Sequence, residues 1–170
     1  MKRIFIINGS GGAGKDTFVS LIEKYVKTFS CSSIDVVKII AYENLGWDCK
    51  KDEKGRKLLS ELKRISSEYN DAPFEYLRSC VKEFEQSDYE FCFLHIREPE
   101  EIERAKKEFD AITVLVKNEK IAKITTNDSD RNVDNYCYDS IILNNGTISD
   151  LNTYAKLFVD EFKKENENDR

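Results

Sequence analysis

The sequence predicts an α/β fold, in which one parallel β-sheet carries helices on both of its faces. Strand and helix patterns alternate along the 170 residues, which is typical of a parallel sheet with crossover helices. Near the N-terminus an apolar run, residues 3–8, leads into a glycine-rich loop and then into an amphipathic helix. We therefore predict a single domain over residues 1–170, built on a five-stranded sheet.

The glycine-rich loop has the features of a phosphate-binding P-loop. Its glycines, at positions 9, 11, 12 and 14, allow consecutive backbone N–H groups to turn inward around an anion. Lys15 supplies a mobile positive charge for the β- and γ-phosphates of a nucleoside triphosphate, and the positive end of the next helix faces the same anion. The predicted phosphate-binding residues are Gly9, Ser10, Gly11, Gly12, Ala13, Gly14, Lys15, Asp16 and Thr17.

The residue after the lysine is unusual. Most such loops place Ser or Thr there to hold Mg²⁺, whereas this chain has Asp16 followed by Thr17. Asp16 is a candidate magnesium ligand, because carboxylate oxygens suit a hard cation. Asp16 is equally suited to the start of the helix, where an acidic side chain interacts favourably with the helix dipole. Thr17 is the rival metal ligand.

The remaining elements are predicted from apolar periodicity and from residues typical of helix ends. The first helix is expected to carry its apolar face from Phe18 as far as Phe29. Pro99 and the acidic residues after it are expected to open a helix, and Thr147 with Asp150 resembles a capping box for the last helix. Further strands are predicted at residues 31–37, 89–96, 110–117 and 139–143, and further helices at residues 54–69 and 72–85.

Composition and charge argue against several classes of protein. The 27 Lys and Arg against 32 Asp and Glu give a formal net charge of −5, which disfavours a general nucleic-acid binder. Five widely spaced cysteines without a C-x-x-C pair favour reduced thiols over a disulfide framework or a zinc site. The sequence shows no signal peptide and no stretch of membrane-spanning length, so we expect a cytoplasmic protein. Its oligomeric state is left open.

A polar segment, residues 118–136, separates the last two predicted strands and has little apolar content. Such a segment in a compact domain is typical of a functional lid or of disorder. Arg131 lies within it, and two interpretations are open. It is either a lid arginine that closes over the transferring phosphate or a solvated loop arginine. The polar tail, residues 163–170, is expected to fray.

Several short motifs, in their order along the chain, resemble the deoxynucleoside monophosphate kinases of bacteria and phages. The resemblance covers nearly the whole chain, although only the Gly-Lys-Asp-Thr loop is specific in isolation. It implies a doubly wound P-loop kinase fold that moves the γ-phosphate of ATP onto a nucleoside or deoxynucleoside monophosphate with Mg²⁺. The other motifs are Ser-Ile-Asp-Val-Val-Lys at 33–38, Gly-Trp-Asp at 46–48, Lys-Asp-Glu-Lys-Gly-Arg-Lys-Leu-Leu at 51–59, His-Ile-Arg-Glu-Pro-Glu-Glu at 95–101, and residues 138–147.

The resemblance implies an acceptor site on the first half of the chain. Asp35 and Lys38 would border the acceptor, and Arg56 would reach its phosphate. Local roles stay open for these positions: Asp35 also suits a helix N-cap, and Arg56 with Lys57 also suits a solvated helix start.

The same resemblance implies further contacts to ATP. Arg97, at the carboxyl end of the third strand, would lie near the transferring phosphate, where open parallel sheets place their ligands. Together with Lys15 and Arg131 it completes the predicted catalytic set. The adenine would lie near a turn that also closes the last strand, formed by Asn144, Asn145 and Gly146.

One position departs from the family pattern. In that family the third strand tends to end in Asp before Val-Arg, whereas this chain has His95 before Ile96 and Arg97. We expect a histidine at a strand end to be structural rather than catalytic. The substitution leaves open how magnesium is organised and which acceptor is used.

The predicted reaction needs no general base, because a phosphate acceptor is already ionised at neutral pH. One alternative is a kinase of the same fold acting on another phosphorylated metabolite, such as phosphomevalonate or dephospho-coenzyme A. Another is a nucleotide-binding protein or switch without kinase turnover. A GTPase is disfavoured, because Asn-Lys-x-Asp is absent and the only Asp-x-x-Gly, residues 52–55, precedes the third strand.

Overall fold

The structure is a computed structural model that describes residues 2–50, 52–121 and 133–168, with backbone only for residues 134 and 165–168. The chain divides into two compact units. The first comprises Met1–Ser30 and Ser87–Arg170, and the second is Cys31–Gln86. The single domain over residues 1–170 stays a prediction.

Five strands form one parallel sheet in the order β2-β3-β1-β4-β5. In the central strand, Ile7 lies opposite both His95 of β3 and Val114 of β4. The carboxyl ends of these three strands therefore meet at one edge, where open α/β sheets place their ligands. The strands are β1 (Arg3–Asn8), β2 (Thr28–Ser32), β3 (Phe91–His95), β4 (Ile112–Lys117) and β5 (Ser140–Leu143).

Helices follow β1, β2, β3 and β5 along the chain, and three of them lie between β2 and β3. Within residues 2–50, 52–121 and 133–168, none of the helices combines the length and apolarity that a membrane span requires. The α-helices of the described residues are α1 (Lys15–Ile22), α2 (Asp35–Leu45), α3 (Glu53–Asn70), α4 (Ala72–Gln86), α5 (Pro99–Phe109) and α6 (Ile148–Asn168).

The core of the first unit has two sides, because successive strand residues point to opposite faces of the sheet. On one face Phe5 packs against Phe93 and, from α6, against Phe158 at ring-centroid distances of 5.2 and 5.0 Å. On the other face α5 packs on β1 and β4 and buries Ile102 and Ala105 completely. Helices thus cover both faces, and the predicted α/β fold is confirmed.

The second unit consists chiefly of α2, α3 and α4, and residues of α2 and α3 form a small apolar core within it. Trp47 is buried in this core and donates its indole N–H to the carbonyl oxygen of Lys50, at 3.1 Å. A side chain at Gly55 would collide with the same carbonyl oxygen, so the start of α3 requires glycine. Asp52 caps that start by accepting from the Gly55 N–H at 2.7 Å.

Two predicted boundaries are wrong. The strand predicted at residues 31–37 ends at Ser32, and the helix α2 begins at Asp35. The apolar and β-branched residues that favoured a strand lie instead on this helix, where Val37 is fully buried. The first helix is also shorter than predicted and ends at Ile22, although Val26 beyond it remains buried in the same core.

The segment between β4 and β5 is described only at its ends. Arg131 lies outside the described residues, so its lid role stays a prediction. A short 3₁₀ turn forms at Val133–Asn135, and the Tyr136 hydroxyl donates to Glu103 of α5 at 2.8 Å. The backbone of α6 continues through the predicted polar tail as far as Asn168.

Candidate functional site

The glycine-rich loop joins the end of β1 to the start of α1, as predicted. Gly12 and Gly14 adopt left-handed backbone conformations, with φ of 81° and 92°, which residues with side chains rarely adopt. A Cβ at Gly14 would also collide with the side-chain amide of Asn144, and one at Gly9 would lie 2.6 Å from the Val116 carbonyl oxygen. The curvature of the loop therefore depends on its glycines.

Lys15 is the first residue of α1, and its side chain is only 14% exposed. Its ammonium nitrogen lies 2.5 Å from Asp16 Oδ1 and 2.9 Å from Nδ1 of His95. Sequence reasoning treated His95 as a structural residue, yet it contacts the predicted catalytic lysine. The sequence signal that could have indicated this contact is the position of His95 at the carboxyl end of a strand. That strand neighbours β1 in the sheet.

Asp16 and Thr17 are both exposed in the first turn of α1, and the Asp16 side chain is 84% exposed. A carboxylate and a hydroxyl offer hard oxygen donors, which fit Mg²⁺ in a site where phosphates and water supply the remaining ligands. Among the described residues no three His, Cys, Asp or Glu side chains come together as a metal site.

Asn8 is a fully buried polar residue at the end of β1 that sequence reasoning missed. Its side-chain oxygen accepts from the Gly9 N–H at 2.8 Å. Its amide donates to the Arg97 carbonyl oxygen at 3.3 Å and to the Tyr138 hydroxyl at 2.8 Å. Asn8 thus joins the start of the phosphate loop to the segments that follow β3 and precede β5. The sequence signal that could have identified Asn8 is a polar residue at the end of an apolar strand.

The turn after β5 supports the phosphate loop from a second direction. Asn144 donates its side-chain amide to the Ala13 carbonyl oxygen at 2.9 Å. Asn145 bonds twice to Glu119, accepting from its N–H at 2.9 Å and donating to its carboxylate at 2.8 Å. Gly146 follows in an exposed turn. The proximity of residues 144–146 to adenine stays a prediction.

The capping box predicted for the last helix is confirmed. The Asp150 carboxylate accepts from the Thr147 N–H at 2.7 Å, and the Asp150 N–H donates to the Thr147 hydroxyl at 3.3 Å. The hydrogen bonds that the Asp150 carboxylate accepts from the N–H and the hydroxyl of Thr147 lower the pKa of Asp150. The turn at residues 144–146 is therefore followed directly by a fixed helix start.

The predicted acceptor residues lie in the second unit. Asp35 opens α2, where its carboxylate accepts from the Ser32 N–H at 2.9 Å and from the Lys38 ammonium at 2.7 Å. Both side chains of this pair remain about one-third exposed, at 34% and 36%. Arg56 lies in the first turn of α3 and is exposed. The N-cap interpretation of Asp35 is therefore wrong, because Ile34 occupies the cap position of α2 and Asp35 is the first residue of the helix. The structure brings Asp35 together with Lys38.

A cluster of titratable groups in the same unit was not predicted. Burial and the neighbouring Cys80 thiol raise the pKa of Tyr76 to about 12. Hydrogen bonds from Cys31 and from Tyr76 lower the pKa of the Cys80 thiol, against the opposing effect of burial. All three are held among the buried and half-buried residues of this unit.

Comparisons with known proteins establish a shared fold. No family model and no curated protein matches the chain. The solved structure of TT1252 from Thermus thermophilus is similar to it, with a TM-score of 0.54 and 17% identity over 94% of this chain and 97% of that chain. Shikimate kinase from Aquifex aeolicus has a TM-score of 0.49 and 13% identity, over 95% of this chain and 98% of that chain. The similarity to TT1252 is one of fold alone, and the resemblance to deoxynucleoside monophosphate kinases stays a prediction.

Charged side chains of both signs lie at the phosphate loop. Lys15 carries a positive charge beside a helix N-terminus, and Asp16 adds an exposed carboxylate. Arg97 is exposed two residues beyond β3, so its guanidinium is accessible to a solvent-borne anion. Such a site suits a polyphosphate bound together with a divalent cation.

Proposed function

We propose that the protein is an ATP-dependent phosphotransferase that moves the γ-phosphate onto a nucleoside or deoxynucleoside monophosphate. The observation that carries the proposal is the position of Lys15. Its ammonium lies at the start of α1, directly behind a loop whose glycines at 12 and 14 have left-handed conformations. A glycine loop, a lysine and a helix N-terminus in this order form a cradle for polyphosphate.

On the ATP side different residues serve the phosphates, Mg²⁺ and adenine. Lys15 neutralises charge on the β- and γ-phosphates, and Arg97 with Arg131 does so on the transferring group. Asp16 and Thr17 would hold Mg²⁺, which when bound supplies further neutralisation of phosphate charge. The turn at residues 144–146 would border adenine while Asn144 holds the loop through Ala13.

On the acceptor side the argument rests on Asp35, Lys38 and Arg56. The exposed guanidinium of Arg56 suits two parallel hydrogen bonds to the acceptor phosphate. The Asp35–Lys38 pair offers a fixed carboxylate and a fixed ammonium to the rest of the acceptor. An ionised acceptor phosphate is itself the nucleophile, so these residues position it and no side chain removes a proton.

A substrate screen tests the proposal. The purified protein, with ATP and Mg²⁺, is offered the common nucleoside and deoxynucleoside monophosphates beside phosphomevalonate and dephospho-coenzyme A, and product masses are recorded. We expect a new diphosphate from at least one monophosphate. The matched control is Lys15→Ala purified in parallel, because activity that persists in it comes from a contaminating kinase.

Two outcomes would replace the proposal. Turnover of phosphomevalonate or dephospho-coenzyme A without any monophosphate would assign a different acceptor to the same fold. Tight ATP binding by calorimetry, without product from any acceptor, would assign a nucleotide-binding protein without kinase turnover.

A further inference from the structure

The contact between Lys15 and His95 fixes the state of the imidazole. The ammonium nitrogen and Nδ1 are 2.9 Å apart, within hydrogen-bonding distance. An ammonium group has three donors and no acceptor, so it is always the donor in such a contact. Nδ1 of His95 is therefore the acceptor and carries no proton, which leaves the ring proton of the neutral imidazole on Nε2.

The fold holds His95 in this place. It is the last residue of β3 and lies opposite Ile7 of the central strand. Because side chains alternate along a strand, it points to the same face as Phe91 and Phe93, which pack against α1 and α6. Its side chain is only 19% exposed. The imidazole is thus part of the sheet edge rather than of a mobile surface.

The Lys15 ammonium contacts two side chains, of which one is charged and exposed and the other is neutral and largely buried. Asp16 Oδ1 is 2.5 Å from the ammonium but 3.6 Å from Nδ1 of His95, which is too long for a hydrogen bond between them. The Asp16 carboxylate is 84% exposed, and an exposed ion pair is weak and screened by salt. His95 is therefore the firmly placed partner, and it is neutral.

We propose that His95 is a positioning residue for Lys15, an uncharged acceptor that directs the ammonium toward the polyphosphate of ATP. This rests on the proposed function. A carboxylate at this position would cancel the positive charge of Lys15, whereas a neutral nitrogen orients it and leaves the charge to the phosphates. One donor bonds Nδ1, and an ammonium has two more with which to bind phosphate oxygens.

Nitrogen NMR tests the contact without any turnover. The chain contains one histidine, so a sample labelled with ¹⁵N-histidine gives a single imidazole spectrum. In mildly alkaline buffer, where an ordinary imidazole is neutral, we expect Nδ1 unprotonated and Nε2 protonated. Lys15→Met should shift the Nδ1 resonance, because the donor is removed while the aliphatic stem is kept. A protonated Nδ1, or a spectrum that Lys15→Met leaves unchanged, would overturn the proposal.

Kinetics of two variants then test the positioning role. His95→Asn retains an oxygen at about the place of Nδ1, whereas His95→Leu has a similar size and no acceptor. We expect His95→Leu to lower kcat about tenfold with the KM of the acceptor unchanged, because only the phosphate-directing group is disturbed. His95→Asn should turn over several-fold faster than His95→Leu.

The NMR and kinetic experiments separate the positioning role of His95 from the proposed kinase activity. Equal rates of the Asn and Leu variants, at equal melting temperatures, would rule out a positioning role. If His95→Leu does not fold, the kinetic test uses His95→Asn together with the NMR spectrum of wild-type protein. A His95→Asn rate within twofold of wild type, with the expected wild-type spectrum, supports the role, and a loss as large as that of Lys15→Ala contradicts it. Wild-type protein that shows the expected spectrum but phosphorylates nothing would sink the proposed function and leave the Lys15–His95 contact standing.

Discussion

The side-chain amide of Asn144 donates a hydrogen bond to the carbonyl oxygen of Ala13, in the middle of the phosphate loop. The backbone N–H of Asn144 in turn donates to Lys117 at the end of β4, at 2.7 Å. The amide also occupies the space that a side chain at Gly14 would need. The turn after β5 therefore packs directly against the phosphate loop, so residues far along the chain help to hold the loop in its conformation.

Gly14→Ala should be more destabilising than Gly46→Ala. Both glycines have positive φ, 92° and 64°, so each substitution carries backbone strain of about 1–2 kcal/mol. An added Cβ meets nothing within 4 Å at Gly46 but collides with Asn144 at Gly14. Urea denaturation gives both free energies of unfolding. Adding Asn144→Ala should restore part of the loss in Gly14→Ala. Equal losses at the two glycines would contradict the packing described above.

Lys15→Met should abolish most phosphoryl transfer while sparing the fold. The Lys15 stem is largely covered, since the side chain is 14% exposed, and methionine preserves that packing. We expect kcat to fall roughly 10²–10³-fold, the effect of removing one charge-stabilising donor, with less than about 1 kcal/mol change in stability. Steady-state kinetics and thermal melts measure both. Retained turnover would mean that the loop does not bind the transferring phosphates.

Asp16→Asn and Asp16→Ser separate the two roles of Asp16. If its carboxylate organises Mg²⁺, asparagine should raise the magnesium concentration for half-maximal rate and lower the maximal rate, and serine should do no worse. If Asp16 only stabilises the start of α1, both changes should reduce stability by a few tenths to about 1 kcal/mol and leave the metal dependence alone. We expect the first result. Coincident magnesium titrations of all three proteins would establish the second.

Tyr76 should make the protein less stable in alkali. Its pKa is raised to about 12 in the folded state, against about 10 in an unfolded chain. A raised pKa means that the folded state holds the proton more tightly, so this stabilisation is complete below about pH 10 and is lost as the pH rises toward about 12. Tyr76→Phe should show a shallower loss between those values in urea denaturation. Parallel curves for the two proteins would contradict the raised pKa, because lysines titrate equally in both.

The sequence was sufficient for the local parts of the fold. The order of apolar strand, glycine loop and helix placed β1 and α1, because each of these signals lies within a few neighbouring residues. The capping box of Thr147 and Asp150 was predicted for the same reason. In α2 the local signal was misleading, because β-branched residues such as Val36 and Val37 favour strands while tertiary packing placed them on a helix.

The partners within the site could not be predicted from local patterns. His95 lies 80 residues from Lys15, and Asn144 lies 131 residues from Ala13. Such pairs are set by strand order, because β3 and β4 flank β1 only after the sheet has formed. The resemblance to a kinase family assigned roles by position but gave no reason to join His95 to the lysine.

The strand order also determines when the phosphate loop acquires its shape as the chain leaves the ribosome. β1 is made first, but its partners in the sheet begin only at Phe91 and Ile112. The intervening Cys31–Gln86 is a continuous unit of helices, and local helical contacts form faster than long-range strand pairs. We therefore expect that unit to fold before β1 pairs with β3 and β4. By the same reasoning, we expect the phosphate loop to acquire its shape late in folding, once β1 has paired with strands that lie far along the chain.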